Sequence, residues 1–215
     1  MRIKNHIEME NSNDWKPGIS FIGKHVSLIP LKIQHEADLV EAVKDGELWK
    51  LWFTRVPSPE GMNAEIVRRL NLAEKGTMMP FTVLDKENRI VGMTSYQLLD
   101  SNNKRVEIGY TWYAKRVQKT ALNTEAKYLL LKYAFEKLDC IAVGFTTSTF
   151  NEASRKAIER LGAKLDGILR NHSIIVDGII RDTCYYSIIN QEWAAVKRNL
   201  EWRLDQFTLD NQITK

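Results

Sequence analysis

Three strand-like runs in the middle of the chain limit most strongly what it can fold into. Residues 80–85, 89–99 and 105–113 are apolar-rich, and polar turn sequences separate them. The first turn is Asp85-Lys86-Glu87-Asn88 and the second is Asp100-Ser101-Asn102-Asn103-Lys104. Links this short join antiparallel neighbours, because a parallel pair needs a crossover of a dozen or more residues. A central meander excludes a doubly wound nucleotide fold, and neither the Rossmann nor the P-loop glycine motif occurs.

On both sides of the meander the hydrophobic spacing is helical. Residues 34–53 carry Ala37, Val40, Val43, Leu48, Leu51 and Trp52 on a helical period broken near Asp45-Gly46, and 62–75 repeat the pattern through Ile66, Leu70 and Ala73 up to Gly76. A long helix is expected over 121–138, with Ala126, Leu129, Leu130, Ala134 and Leu138 facing inward. A first strand falls within 21–31 and another at 141–148; a helix at 152–161 is capped by Asn151 and stopped by Gly162. Strands at 164–176 and 179–189 form a hairpin about Asp177-Gly178, and 190–207 read as a last helix. The fold class is therefore α/β, with a mixed, mostly antiparallel sheet flanked by helices. Residues 1–20 read as a polar N-terminal extension ending in Lys16-Pro17-Gly18, 21–207 as one domain, and 208–215 as a polar tail.

Composition removes several function classes. The net charge is only +4, spread along the chain, whereas nucleic-acid binders concentrate basic residues in a stripe. The two cysteines, Cys140 and Cys184, and four scattered histidines form no metal-ligand spacing, so no metal is expected. The first residues lack the apolar core of a signal peptide, and no run of 18 apolar residues exists. A cytoplasmic protein with reduced thiols and no membrane partner is the expectation.

Two strand-to-helix joints can carry chemistry. Glu107-Ile108-Gly109-Tyr110-Thr111-Trp112-Tyr113 leads through Lys115 and Arg116 into Gln118-Lys119-Thr120-Ala121-Leu122-Asn123-Thr124 at a helix start. A helix N-terminus offers unpaired N–H groups and a positive dipole end, which suit phosphate. On those residues alone an ordinary solvated joint is the favoured reading, since every helix has an N-terminus. Asn151 and Ser154 open a second helix, where a plain N-cap is the bland alternative.

Taken together, EIGYTWY, QKTALNTEAKYLLLKYAFEKL, FNEASRKAIERLGAKLDGILR and DGIIRDTCYYSIINQEW resemble the GNAT superfamily of N-acetyltransferases, and within it the RimJ/RimL-like group, over roughly residues 20–193. The resemblance implies a sheet with splayed central strands and acetyl-CoA as cosubstrate. It implies coenzyme contacts at Trp112, Tyr113, Gln118, Lys119, Thr120, Ala121, Leu122, Asn123, Thr124, Asn151 and Ser154. Ala121 and Asn123 stand where the family favours small residues or glycine, and Ile158 stands where many members have an acid tyrosine. Glu107 is the candidate base, acting through water, because its strand leads into the coenzyme loop, while a carboxylate paired with Arg105 or Lys104 or simply solvated fits it equally well; Ser154 or a water is left to protonate the leaving thiolate. Trp49, Trp52, Tyr96 and His172 are the expected acceptor-lining residues. The acceptor is a primary amine, either a protein N-terminus or a small molecule, and a homodimer fits the family habit. The competing reading is a catalytically weak or inactive protein that binds coenzyme A or a protein.

Overall fold

The computed structural model describes residues 15–16, 18–175 and 178–213, with side chains to residue 207. Eight strands form one sheet: β1 (Phe21–Ile22), β2 (Val26–Pro30), β3 (Met78–Asp85), β4 (Ile90–Asp100), β5 (Arg105–Tyr113), β6 (Ala142–Ser148), β7 (Lys164–Ile174) and β8 (Ile180–Ile189). Five helices flank it: α1 (Glu36–Lys44), α2 (Met62–Glu74), α3 (Ala121–Glu136), α4 (Glu152–Arg160) and α5 (Trp193–Ile213). The strand order is β1-β2-β3-β4-β5-β6-β8-β7. All neighbours are antiparallel except β5 and β6, which are parallel because α3 carries the chain across.

The meander is present at the expected turns. The segment 34–53 is broken where Asp45-Gly46 predicts: α1 ends at Lys44 and a single 3-10 turn covers Leu48–Lys50. Gly46 adopts φ +103°, which ends the helix. The hairpin turn at Asp177 lies outside the described residues, but Gly178 has φ +76° and its N–H bonds to Ile175 O.

Both chain ends differ from expectation. Within the segment read as an extension, Trp15 and Ile19 pack against the core. The helical backbone of α5 runs to Ile213, through much of the segment read as a tail. α5 lies along α3, where Trp193 stacks on Phe135 at 5.1 Å, and Tyr128 donates to Glu201 at 2.9 Å.

The core lies on both faces of the sheet: Leu39, Val43, Met62 and Ile66 of α1 and α2 are buried on one, and α3 covers the other. Ala126, Leu130, Leu131 and Ala134 are fully buried against Val106, Ile108, Val143 and Phe145. Strand alternation puts those apolar residues on the α3 face and leaves Glu107, Gly144, Thr146 and Tyr185 on the other. Cys140 and Cys184 are free and buried, and burial pushes the Cys140 thiol up to about 12.

Candidate active site

β5 and β6 pair at only three rungs: Arg105↔Ala142, Val106↔Val143 and Glu107↔Gly144. Past Glu107 the strands separate, β5 continuing to Tyr113 and β6 to Ser148. The sheet thus opens into a wedge whose apex is the Glu107 rung. The facing edges of both strands keep backbone groups free to pair with an extended ligand.

Glu107 is half-buried at that apex. Gln97 Nε2 and Thr146 Oγ1 donate to its Oε2 at 3.2 and 3.4 Å. Two glycines make room for this group. A Cβ at Gly109 would sit 2.4 Å from Gln97 Nε2, and one at Gly144 would sit 2.9 Å from Glu107 Cγ. Burial raises the Glu107 pKa, against the two hydrogen bonds and the charge of Arg105. A carboxylate with a raised pKa is a better proton acceptor than an ordinary one.

The strand leading away from the apex is distorted by a β-bulge. Met93 pairs with Trp112 and Ser95 with Gly109, so Tyr110 and Thr111 together oppose Thr94. Tyr110 takes φ +49°, an uncommon value for a non-glycine residue. Side chains brace the bulge from both faces. From α2, Arg69, only 1% exposed, donates to Tyr110 O at 3.0 Å, to Ser95 Oγ at 3.2 Å and to Glu65 at 2.7 Å. Arg68 pairs bidentately with the same Glu65 and lies 4.5 Å over the Tyr110 ring. From α3, Lys127 Nζ reaches Thr111 Oγ1 at 2.7 Å and Thr94 Oγ1 at 3.3 Å. Burial lowers the Lys127 pKa to about 7.

Sequence reasoning missed both cations. Arg69 falls three residues after Ile66, and Lys127 falls four before Leu131 and seven before Ala134. Helical spacing alone therefore puts each on a buried stripe.

Thr120 is the N-cap of α3: its hydroxyl accepts from Leu122 N at 3.3 Å and donates to Val117 O at 2.7 Å. Among the described residues the backbone N–H groups of Lys119, Thr120 and Ala121 have no partner. The residue at positive φ is Lys119, at +60°. Ala121 and Asn123 lie inside the helix, where glycine is not required. Leu122 is buried and offers only its backbone; Asn123 and Thr124 are half-buried. Gln118 spends its amide on Tyr113 O at 2.9 Å. The Trp112 and Tyr113 side chains are buried, so these residues present backbone to the wedge. Arg116 is tied to Asp45 at 3.1 Å, leaving Lys115 and Lys119 as the exposed cations of the loop that form no ion pair among the described residues. Across the wedge, Asn151 Oδ1 caps α4 through Ser154 N at 3.0 Å. Its Nδ2 and the Ser154 hydroxyl have no partner among the described residues. Ile158 is buried beneath α4.

The expected acceptor-lining residues divide. Trp52 is 51% exposed and lies 5.2 Å from Phe150, so the segment between α1 and α2 reaches the mouth of α4. Trp49 is partly buried and packs on the core. His172, on β7, is exposed, bonds Thr183 Oγ1 at 3.1 Å and meets the Tyr185 ring edge-on at 5.7 Å. Tyr96 does not border the cleft. It pairs with Ile108 on the α3 face, is fully buried, and its hydroxyl donates to Leu130 O. Alternation gives the cleft face of β4 to Ser95 and Gln97 instead. Among the described residues, no group of three or more His, Cys, Asp and Glu could hold a metal, and no helix is long and apolar enough to cross a membrane.

A sequence model of the GNAT acetyltransferase domain matches residues 25–164. The chain is 36% identical to YdaF of Bacillus subtilis, which carries the name of a ribosomal N-acetyltransferase, over 111 residues. That stretch is 52% of this chain and spans about 60% of the length of YdaF. A GCN5-related N-acetyltransferase from Brucella melitensis superposes with a TM-score of 0.77 at 26% identity, covering 86% of this chain and 85% of that one. The fold is also that of Mycobacterium smegmatis RimJ, solved in complex with CoA-disulfide. There the TM-score is 0.70 at 18% identity, over 83% of this chain and 88% of that one.

Proposed function

The chain belongs to the GNAT acetyltransferase family, and from that premise we propose that it is an acetyl-CoA-dependent N-acetyltransferase acting on a primary amine by direct attack. The observation that carries this reading is the position of Glu107 at the apex of the β5–β6 wedge. A polarised carboxylate stands there beside the edge along which a pantetheine arm would pair.

The residues present fit acetyl-CoA. The partnerless amides at 119–121, with Lys115 and Lys119 nearby, suit its phosphates. Gln118 through Thr124 form that cradle. Trp112 and Tyr113 contribute backbone, and Asn151 Nδ2 and the Ser154 hydroxyl face the arm from the other side of the wedge. Acetyl-CoA supplies the activated acyl group.

The acceptor arrives as an ammonium, and Glu107, directly or through water, takes its proton. The freed nitrogen bonds to the carbonyl carbon, and the carbon–sulfur bond breaks. A backbone N–H of the bulge strand near Thr111 or Trp112 donates to the carbonyl oxygen as its charge grows. The departing thiolate takes a proton through Ser154, in place of the tyrosine that Ile158 replaces, and Ser154 regains it from the attacking nitrogen, which sheds its second proton as the amide forms. Trp52 and His172 border the acceptor. The name of YdaF places protein N-termini among the acceptors to test, beside small amines.

Release of free thiol from acetyl-CoA across an amine panel tests the reading. Turnover that falls about 100-fold or more in Glu107→Gln supports it. Unchanged turnover removes Glu107 from the base role. The presence of Ile158 favours one competing reading, a coenzyme A-binding protein without turnover. That reading predicts stabilisation by acetyl-CoA but no thiol release with any amine.

A further inference from the structure

The cleft face carries more positive charge than its carboxylates balance. On β8, residues 181, 183 and 185 alternate onto the same face as Glu107, and Tyr185 pairs with Thr146, which itself bonds Glu107. Tyr185 is thus the step between Glu107 and Arg181. Its acidity reflects both neighbours: burial and Glu107 raise its pKa, and Arg181 opposes them.

Arg181 is half-buried, and among the described residues its one hydrogen bond is a long one, Nη2 to Thr183 Oγ1 at 3.4 Å. Its Nε is buried with no partner among the described residues. Arg55 is an exposed cation of the segment between α1 and α2, which Trp52 brings to the mouth of α4 at 5.2 Å from Phe150. Burial and then Arg55 both push the Arg181 pKa down. Among the described residues no carboxylate forms an ion pair with Arg55 or Arg181, whereas Glu65 on the same side is already shared by Arg68 and Arg69. Two guanidinium groups that repel each other, one with an orphaned donor, are stabilised by a shared anion. Carboxylate and phosphate match their planar donor fork.

We infer that Arg181 and Arg55 form an anion subsite of the acceptor pocket, so that the preferred acceptor is an amine bearing a carboxylate or phosphate, with its nitrogen at Glu107 and its anionic group at the arginines. The inference rests on the acetyltransferase reading, since Glu107 fixes the amine end. The same chemistry is available from a small zwitterion or from a protein N-terminus followed by an acidic residue.

Matched acceptors test it. The pairs are O-phosphoethanolamine against ethanolamine, β-alanine against β-alaninamide, and short peptides with glutamate or glutamine at the second position. The expected result is a kcat/KM at least tenfold higher for the anionic member of one or more pairs. Preference confined to the peptide pair assigns the protein source, and preference in the other pairs assigns the small molecule. Arg181→Gln and Arg55→Gln should each collapse that ratio by about tenfold through the acceptor KM, with Arg181→Lys restoring part of it. Equal use of neutral and anionic partners overturns the subsite while leaving the acetyltransferase reading intact, as does a change confined to the KM for acetyl-CoA. Absence of thiol release with every amine would overturn the acetyltransferase reading. Calorimetry with O-phosphoethanolamine on the acetyl-CoA-saturated protein then decides the subsite. Equal heats in wild type and Arg55→Gln, an exposed position, overturn it.

Discussion

The buried guanidinium of Arg69 donates to the carbonyl oxygen of Tyr110 at 3.0 Å, tying α2 to the left-handed residue of the β5 bulge. The same group holds Ser95 and Glu65. Arg69→Met would leave Tyr110 O without that bond and would take one of two arginines from Glu65. Removing one member of a buried charge network typically costs about 3–5 kcal/mol. Arg68 stays with Glu65, so the expected loss is at the lower end, about 3 kcal/mol, in urea unfolding. Turnover should fall further than stability explains, because the bulge sets the amides proposed to meet the carbonyl oxygen. A loss below about 1 kcal/mol with full turnover would show that the bulge holds without Arg69.

Glu107 gives a pH signature of known sign. Its pKa is raised in the folded protein, chiefly by burial. Only the carboxylate accepts a proton, so the rate should climb as pH rises through that raised value, and the limb should vanish in Glu107→Gln. Stability runs the other way. A raised folded pKa favours the protonated form, so its contribution is full below the unfolded value and is lost as pH rises through the folded one. Above that folded value the ionised group therefore weakens the fold, and there Glu107→Gln should melt no lower than wild type. A lower melting temperature in that range together with an unshifted rate limb would contradict this account.

Much of this arrangement is written in periodicity and turn chemistry, and the rest is hidden for identifiable reasons. The meander, the long helix α3 and the cap at Asn151 follow from apolar spacing and cap residues. The phase of β4 does not, because Val91 through Tyr96 are buried on both faces, so alternation cannot say which side Tyr96 takes. The bulge has no sequence marker either, since tyrosine rather than glycine occupies the left-handed position. Arg69 and Lys127 lie on stripes that spacing predicts as buried, but charge argues against burial until a partner is visible.

Lys127 supplies a titration separate from that of Glu107. Burial brings its pKa from an ordinary 10.5 to about 7, and its bonds go to two hydroxyls rather than to a carboxylate. The unfolded chain binds the proton more tightly across that interval, so stability should rise with pH from about 7 to about 10.5. Lys127→Met keeps the length of the side chain without the charge. It should remove this alkaline rise and stabilise the fold near pH 7 by a few kcal/mol, on the order of the shift itself. Thr94 and Thr111 remain bonded to each other at 2.8 Å, so the deletion leaves neither hydroxyl alone. A stability profile that is flat between those pH values in wild type would count against a neutral Lys127.

The loop before α3 separates charge from backbone geometry. Ala121 lies in the first turn of the helix, so Ala121→Gly should leave the partnerless amides where they are. Acetyl-CoA affinity should change less than about threefold, with a stability cost up to about 1 kcal/mol from added chain freedom. Lys119 is different, because it is exposed and carries the positive φ of +60°. Lys119→Gly should relieve that backbone strain, worth about 1 kcal/mol, and yet weaken acetyl-CoA binding several-fold by removing a cation beside the phosphates. Thermal shift against acetyl-CoA concentration reads both effects, since a ligand bound only to the native state stabilises by about 2.7 kcal/mol at 100 times its Kd. If Ala121→Gly tightened binding tenfold instead, the loop geometry rather than the missing charge would be what limits this glycine-poor cradle.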